Sequence, residues 1–322
     1  MLELGRARIF SMSFDASNKD DPHVANRRFV YHSLLFEILR GDVVASDFEE
    51  FFCDENCNDD PEGEGDRHSD ELDGLRREAA ALKPAIRKAV QASPGIDNTK
   101  QEEYIERISI GDEDATLALL VPSLTNLRFL IPPMNATRLD NAVRRIASSP
   151  HTPCPALSKL VLVSFPAANG NCSGMYLRDV AIYAAIPSVK RVVVSHGRSY
   201  SLDGDFYGWP AGLPLSHAAE VYFDRATIIP MDVRRFAGGF AGPCVMRQWW
   251  VEHGSNLPEG RPDVEWDYLQ VIPASEERGR DIVMELRYPD AHGDQRYHET
   301  CEEYSDEMNA MLQSRLWDWR KL

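Results

Sequence analysis

A pattern of apolar residues recurs along this chain at a nearly constant spacing, and no other feature constrains the fold as much. Each copy has an apolar residue, two others, a second apolar residue, one other and a third apolar residue. The copies occupy residues 124–129, 157–162, 189–194 and 218–223. Their middle residues are separated by 33, 32 and 29 positions (160 − 127, 192 − 160 and 221 − 192). Such a period is typical of repeat proteins, whose units bury their apolar residues against neighbouring units.

Helical patterns fill the stretches between these copies. Residues 137–148 and 177–186 each place their apolar side chains on one helical face. Pro187 follows the second of these segments, where a helix must end. The alternation predicts an α/β fold, an irregular solenoid with parallel strands on its inner face, helices outside and helical caps at the ends. A doubly wound α/β domain, which also alternates strands with helices, is the alternative.

The first copy and the residues before it resemble the leucine-rich-repeat proteins of filamentous fungi, many of which carry an N-terminal F-box. Seven residues occupy positions of the Gly-Asp-x-Asp-Ala and Leu-x-Asn-Leu motifs of that group: Gly111, Asp112, Asp114, Ala115, Leu124, Asn126 and Leu127. The turn at 252–254 is similar to one in the same group, so the resemblance covers roughly residues 100–255. Three features depart from it. The F-box is not recognisable, Asn is missing after the strands, and the period exceeds the usual 20–29 residues.

The resemblance implies a leucine-rich-repeat-like solenoid that serves as a non-enzymatic scaffold for protein interactions. In one form of this role, the chain would be the substrate-recognition part of an F-box-type ubiquitin-ligase adaptor. Its partners would then include the F-box-binding adaptor of a cullin ligase. No cofactor is expected.

Three regions are predicted along the chain. Residues 1–103 form an N-terminal helical capping region with a disordered acidic insertion at about 42–70, predicted because this segment is rich in Asp and Glu. Residues 104–255 form the repeats. Residues 256–322 form closing strands and a C-terminal capping helix at 298–319.

Several elements are predicted within the outer two regions. Residues 29–40 have the pattern of an amphipathic helix, and residues 71–92 that of two short helices separated at Pro84. Residues 266–271 and 282–286 are predicted as a pair of antiparallel strands that closes the fold.

The charge of the chain excludes several classes of partner. The sequence has 35 basic and 51 acidic residues, for a net charge of −16. Phosphate binding requires clustered Lys and Arg, so neither nucleic acid nor an anionic membrane surface is an expected partner. No apolar run approaches the length of a membrane span, and the N-terminus lacks the apolar centre of a signal peptide. These features predict a cytoplasmic or nuclear protein with reduced cysteines.

One motif supports an enzyme instead, a cysteine-nucleophile α/β hydrolase. Cys172 lies in a Gly-x-Cys-x-Gly sequence between a predicted strand and a predicted helix, which is the context of a nucleophile elbow. The candidate bases are His196 and His217, and the candidate orienting carboxylates are Asp203, Asp205 and Asp224. Residues 166–169 argue against this alternative, because in such an elbow the strand leads directly into the turn.

Other candidate motifs are incomplete. Residues 54–65 begin like a calcium loop but lack the required Gly and Glu at its sixth and twelfth positions. Cys53 and Cys57 have only His68 as a further zinc ligand. The aromatic segment 199–214 is predicted to pack against its own domain rather than to form a binding patch.

The inner face of the predicted solenoid is the candidate binding surface. Residues between the apolar positions of each copy project onto it, because side chains alternate along a strand. Eight residues are thereby predicted to bind a partner: Asn126, Arg128, Lys159, Val161, Arg191, Val193, Glu220 and Tyr222. The row of Arg128, Lys159 and Arg191 predicts a peptide or protein with some acidic character.

Overall fold

The computed structural model describes the following residues: 8–11, 29–53, 69–133, 136–149, 155–165, 175–195, 197, 208–224, 230–242, 244–248, 269–273 and 281–286. These residues form seven α-helices and nine β-strands of an α/β fold. The chain divides into unit 1, Met1–Leu160 with Gly212–Pro214, and unit 2, Val161–Ala211 with Leu215–Leu322. None of the helices in the described part combines the length and apolar character that a membrane span requires.

Both units contain strands and helices. Those of unit 1 are β1 (Arg8–Ser11), α1 (Val30–Arg40), β2 (Phe48–Phe52), α2 (Ser69–Ala92), α3 (Gln101–Ser109), α4 (Glu113–Ser123), β3 (Phe129–Ile131) and α5 (Thr137–Ala147). Those of unit 2 are β4 (Leu162–Phe165), α6 (Leu177–Ala184), β5 (Arg191–Ser195), β6 (Glu220–Asp224), α7 (Pro230–Ala237), β7 (Val245–Gln248), β8 (Leu269–Pro273) and β9 (Asp281–Leu286).

The strands of unit 1 form a parallel sheet in the order β1, β2, β3. Phe51 of β2 pairs with Leu130 of β3, and both side chains are fully buried. The Tyr31 ring of α1 lies 6.0 Å from the Phe51 ring, so α1 covers this face of the sheet. The amphipathic helix predicted at 29–40 is therefore present, and its apolar side packs into the core.

Residues 42–53 correct the predicted acidic insertion at about 42–70. A short 3-10 turn at Ala45–Asp47 leads into β2, whose Phe48 and Phe51 are buried. These two phenylalanines supply the apolar area that their acidic neighbours lack, so a strand forms within the acidic segment. Residues 54–68, the rest of the predicted insertion, lie outside the described residues.

Helix α2 corrects the prediction of two short helices at 71–92. It runs without a break through Pro84, which is exposed. A proline removes one backbone hydrogen bond from a helix. Buried side chains on both sides of the proline hold the helix against unit 1: Leu75, Ala79, Ile86 and Val90.

The Gly-Asp-x-Asp-Ala motif joins two helices in unit 1. Gly111 has a φ of 94°, a conformation that favours glycine. The Asp112 carboxylate caps α4 by accepting a hydrogen bond from the Ala115 N–H at 2.9 Å. Asp114 accepts a hydrogen bond from the backbone N–H of Arg138, at the start of α5. The motif is therefore explained by helix capping.

Unit 2 contains a parallel sheet of five strands in the order β4, β5, β6, β7, β9, with β8 antiparallel to β9. The closing pair predicted at 266–271 and 282–286 is thus present as β8 and β9. The C-terminal helix predicted at 298–319 lies outside the described residues.

Helices α6 and α7 pack on the same face of this sheet. Phe165 of β4 lies in register with Val194 of β5, which is in turn in register with Phe223 of β6. The Phe165 ring is 5.4 Å from that of Tyr183 in α6, and the Phe223 ring is 6.1 Å from that of Phe236 in α7. Residues in register share one face of a sheet, so both helices cover the same side.

Candidate interaction surface

A tight turn with the same hydrogen bond precedes three of the strands. The Leu127 N–H donates to the Leu124 carbonyl at 3.1 Å, and the Leu160 N–H donates to the Leu157 carbonyl at 3.1 Å. The third turn repeats the bond from Val189 to Ile186 at 3.0 Å. Equivalent backbone bonds identify equivalent residues, so these turns align the three repeats independently of side-chain identity.

The turns and the strand register correct the alignment made from sequence. Leu162, not Lys159, pairs with Arg191, and Ser164, not Val161, pairs with Val193. Lys159 and Val161 are therefore three positions away from the row in which they were predicted.

This shift has a simple origin in the sequence. Turn residues and strand residues are both apolar, so one template fits at two offsets. In the second copy, the first two apolar positions of the template fall in the turn, at Leu157 and Leu160. In the third copy, the last two positions fall in the strand, at Val192 and Val194.

The corrected alignment shortens the repeat. Val163 pairs with Val192 and Val192 with Val221, both separated by 29 residues (192 − 163 and 221 − 192). Val221 pairs with Met246 after 25 residues (246 − 221). All four side chains are buried. These spacings lie within the 20–29 residues of ordinary leucine-rich repeats, whereas the first alignment gave 32 in place of the first 29 (192 − 160).

In unit 1, two predicted site residues lie together just before their strands. The Asn126 amide donates to the Ser46 carbonyl at 2.5 Å, and its oxygen accepts a hydrogen bond from the Lys159 ammonium at 2.5 Å. Lys159 is exposed, while Asn126 and Arg128 are half-buried. The Arg128 N–H donates to the Glu49 carbonyl at 2.8 Å, which fixes its backbone beside β2. The Lys159 ammonium is thereby held in place with further donor capacity.

In unit 2, three predicted residues form a cluster on the face opposite α6 and α7. Arg191 donates from Nε to Glu220 Oε2 at 2.6 Å, and the Tyr222 hydroxyl donates to the same oxygen at 3.0 Å. The Arg191 guanidinium also lies 5.9 Å from the centre of the Tyr222 ring. Charge-assisted bonds of this kind are strong and directional, so the cluster adds side-chain bonds between the paired strands β5 and β6.

Burial limits what this cluster offers to a partner. Arg191 is 9% exposed and Val193 is 3% exposed, whereas Glu220 and Tyr222 are half-buried. Burial and the nearby Glu220 carboxylate also raise the pKa of the Cys244 thiol to about 12. Arg191 therefore neutralises Glu220 within the fold, and it does not extend the basic row of Arg128 and Lys159.

Sequence reasoning missed the true equivalents of the unit 1 residues. The Lys190 N–H donates to the Val161 carbonyl and the Ala219 N–H to the Lys190 carbonyl, each at 2.8 Å. This recurrence makes Arg128, Val161, Lys190 and Ala219 one set of equivalent positions. A second set of equivalent positions lies two residues earlier in the chain than the first. It consists of Asn126, Lys159, Ser188 and His217.

We call these eight residues the pre-strand positions. Lys159 in unit 1 and Lys190 and His217 in unit 2 are exposed. A basic side chain therefore precedes each of β3, β4, β5 and β6 (Arg128, Lys159, Lys190 and His217), although the chain as a whole is acidic. The signal that could have revealed Lys190 is the apolar pair Ile186 and Val189, which has the spacing of Leu157 and Leu160.

The alternative enzyme site falls largely outside the described residues. These do not include Cys172, His196, Asp203 or Asp205, and of the remaining candidates His217 is exposed before β6. Asp224 ends β6, directly in register with Ser195 of β5.

The candidate metal ligands are likewise only partly described. Cys53 is buried, while Cys57 and His68 lie outside the described residues. In the described part of the chain, no group of three or more His, Cys, Asp or Glu could hold a metal ion.

Trp209, from the aromatic segment predicted at 199–214, packs against its own unit. Its ring lies 5.6 Å from Phe236 and 5.7 Å from Phe240. A Cβ atom at Gly239 would overlap the Trp209 ring, so the indole occupies the space above that glycine. For Trp209 the prediction of packing within its own domain is confirmed, and the other three aromatic residues of the segment lie outside the described residues.

Comparison of the chain with protein-family models, curated proteins and solved structures finds no match.

Proposed function

We propose that this protein is a non-enzymatic scaffold, a leucine-rich-repeat-like solenoid that binds protein partners through its pre-strand positions. The observation that carries the proposal is the recurrence of one turn and one strand register. The turn recurs at Leu124, Leu157 and Ile186, and the register recurs at spacings of 29, 29 and 25 residues in unit 2. Repeat architectures use such series of similar positions as extended binding surfaces.

The placement of the helices in unit 2 favours this fold over a doubly wound domain. A doubly wound sheet has helices on both faces, whereas a solenoid keeps them on the outer side. Helices α6 and α7 contact Phe165 and Phe223 on one face. The face with Glu220 and Tyr222 then corresponds to the inner side.

The chemistry of the pre-strand positions supports a partner with acidic character. Lys159 and Lys190 are exposed and basic just before β4 and β5, one position apart in the alignment of the turns. Exposed charges at the rim of an interface act mainly on association rate and partner selection. We therefore still propose an acidic partner. The basic residues that would contact it are Arg128, Lys159 and Lys190, because Arg191 is buried against Glu220.

The ubiquitin-ligase form of the proposal meets a physical constraint at α1. Leu34, Leu35 and Phe36, the apolar residues of the F-box-like segment, are buried. An adaptor that bound them would first have to separate α1 from the core of unit 1. We therefore propose a protein-interaction scaffold without a ubiquitin-ligase role. Whether it binds cullin-ligase components is tested below.

Quantitative affinity purification from the native cells tests the proposal. The tagged wild-type chain is compared with Lys159→Glu and Lys190→Glu, which reverse one charge in unit 1 and unit 2 respectively. Arg178→Glu is the matched control, because Arg178 is an exposed basic residue on α6. We expect specific partners to be recovered by the wild type and the control and to be depleted by at least one pre-strand variant.

Two results would contradict this account. One is a set of partners that all four proteins recover equally, and the other is the absence of any specific partner. Recovery of the F-box-binding adaptor and a cullin, undiminished in both pre-strand variants, would place that contact on α1 instead.

A further inference from the structure

The outward side of α2 carries a strip of basic residues that packing does not require. Residues 76, 80, 83 and 87 align along one line of a helix, and residues 77, 81, 84 and 88 align along the next. All eight are exposed, whereas the opposite side of α2 is buried in unit 1. Five of the eight are basic: Arg76, Arg77, Lys83, Arg87 and Lys88.

Neighbouring carboxylates compensate only part of this charge. Arg76 lies 3.4 Å from Asp73, and Arg87 lies 3.0 Å from Glu102. The side chains of both pairs are 45–73% exposed, and ion pairs at such exposure contribute little. Within the described residues, Lys83 and Lys88 have no ion-pair partner, and Arg77 donates from Nε to the Asp73 carbonyl at 3.2 Å.

The remaining residues of the strip are small. Ala80, Ala81 and Pro84 are exposed between the basic side chains. Pro84 has no backbone N–H, so the Ala80 carbonyl lacks the donor that an uninterrupted helix would supply. A strip of this shape allows another backbone to approach closely, and it lacks the bulky apolar residues that insert into a membrane.

We propose that this strip is a docking surface for an acidic helix of a partner protein. The surface is separate from the pre-strand positions, so the inference does not depend on the function proposed for them. Arg77 and Lys88 lie about 16 Å apart along the axis, which matches three turns of a facing helix. Carboxylates spaced along those turns would meet Arg77, Lys83 and Lys88.

A protein helix suits the strip better than a nucleic acid does. Electrostatic attraction at physiological salt is confined to a range of about 8 Å. A short acidic helix can lie entirely over the strip, whereas a long polyanion would extend over the rest of a chain with net charge −16. Local charge complementarity therefore favours the shorter ligand.

Fluorescence anisotropy with defined probes tests the proposal on the full chain. The ligand is a labelled helical peptide of Glu and Ala, with Glu on one face, and the reference ligand has Gln at those positions. Lys83→Gln/Lys88→Gln removes two charges from the strip. Lys100→Gln/Arg178→Gln is the matched control, since both residues are exposed and basic elsewhere. Lys83→Arg/Lys88→Arg preserves the charge.

We expect the wild type to bind the Glu peptide and not the Gln peptide. The Gln double variant should bind the Glu peptide about tenfold more weakly, while the control and the Arg variant stay within about twofold of wild type. The proposal is overturned if the wild type fails to distinguish the peptides, or if the control loses as much affinity as the strip variant. Binding of a short single-stranded DNA through Lys83 and Lys88 without peptide binding would also overturn it.

Discussion

The carboxylate of Asp114 accepts a hydrogen bond from the backbone N–H of Arg138 at 2.8 Å, across 24 residues of sequence. A second bond, from the Leu139 N–H, is 3.0 Å long. These two donors belong to the first turn of α5, and the residue before that helix, Ala136, has no capping side chain. Asp114 on α4 therefore caps α5 and ties the two helices together.

Substitution of Asp114 by Ala is expected to lower the free energy of unfolding by about 2 kcal/mol, because two helix-terminal donors lose a charged acceptor. Asp114→Asn retains one acceptor oxygen and should lose less. Urea denaturation followed by circular dichroism measures the difference. The control is Glu106→Ala, at an exposed position of α3. Equal stability of Asp114→Ala and wild type would contradict the capping role.

The buried His32 should make stability depend on pH in a defined window. Its Nε2 lies 2.6 Å from the Thr116 hydroxyl, which donates to the Asp112 carbonyl at 3.0 Å. The hydroxyl can then only accept a hydrogen bond from Nε2–H, and Nδ1 is buried with no hydrogen-bond partner among the described residues. Burial lowers the pKa of His32 to about 4, against a weaker opposing effect of Asp112.

The unfolded chain, with its His32 pKa near 6.5, takes up a proton before the native chain does. Stability conferred by neutral His32 is therefore present above pH 6.5 and is lost as pH falls from about 6.5 to about 4, to a total of about 3 kcal/mol. His32→Phe should show a smaller loss than wild type between pH 7 and pH 4.5. The exposed-site control His217→Gln should behave like wild type. Identical pH profiles for wild type and His32→Phe would refute this.

Gly239 and Trp209 should couple strongly. Because a Cβ at Gly239 would overlap the indole, Gly239→Ala is expected to cost about 2 kcal/mol of unfolding free energy. In a Trp209→Ala background the overlap is gone, so Gly239→Ala should then cost little. Gly242→Ala, where a Cβ meets nothing within 4 Å, is the control. Additive losses in the double variant would contradict the predicted contact.

The Arg191–Glu220 pair should contribute more to stability than an exposed pair. Their side chains are 11% and 30% exposed, so Glu220→Ala leaves a largely buried guanidinium without its carboxylate. We expect a loss of about 2 kcal/mol. Glu102→Ala, which removes the exposed partner of Arg87, should lose under about 0.5 kcal/mol. The combined change Arg191→Met/Glu220→Leu should lose less than Glu220→Ala alone, and a larger loss would contradict this reasoning.

The helices between strands could be predicted because their apolar periodicity is strong. Residues 29–40 and 137–148 were predicted as helices and form Val30–Arg40 and Thr137–Ala147. The strand Phe48–Phe52 could not be predicted from composition, because the acidic residues dominate the average hydropathy of the segment despite its buried phenylalanines. The predicted break at Pro84 is wrong because this residue lies on the exposed side of the helix. Burial of the opposite side offsets the loss of one backbone hydrogen bond.

The candidate surface was harder to predict than the elements that carry it. A shift of three residues moves a side chain to the other face of a strand, and apolar identity alone does not distinguish Val189 in a turn from Val192 in a strand. The turn bond to Ile186 and the pairing of Val163 with Val192 make that distinction. Both are backbone properties, and they show that the pair Ile186 and Val189, not Val189 and Val192, marks the turn before Lys190.

The central claim is that exposed cations before the strands select an acidic protein partner, and direct calorimetry tests it most directly. A partner obtained by affinity purification is titrated, in purified form, into wild type, Lys159→Glu and Arg178→Glu. We expect Lys159→Glu to weaken the Kd about tenfold and Arg178→Glu to change it less than about twofold. Equal affinities for all three proteins would contradict the account.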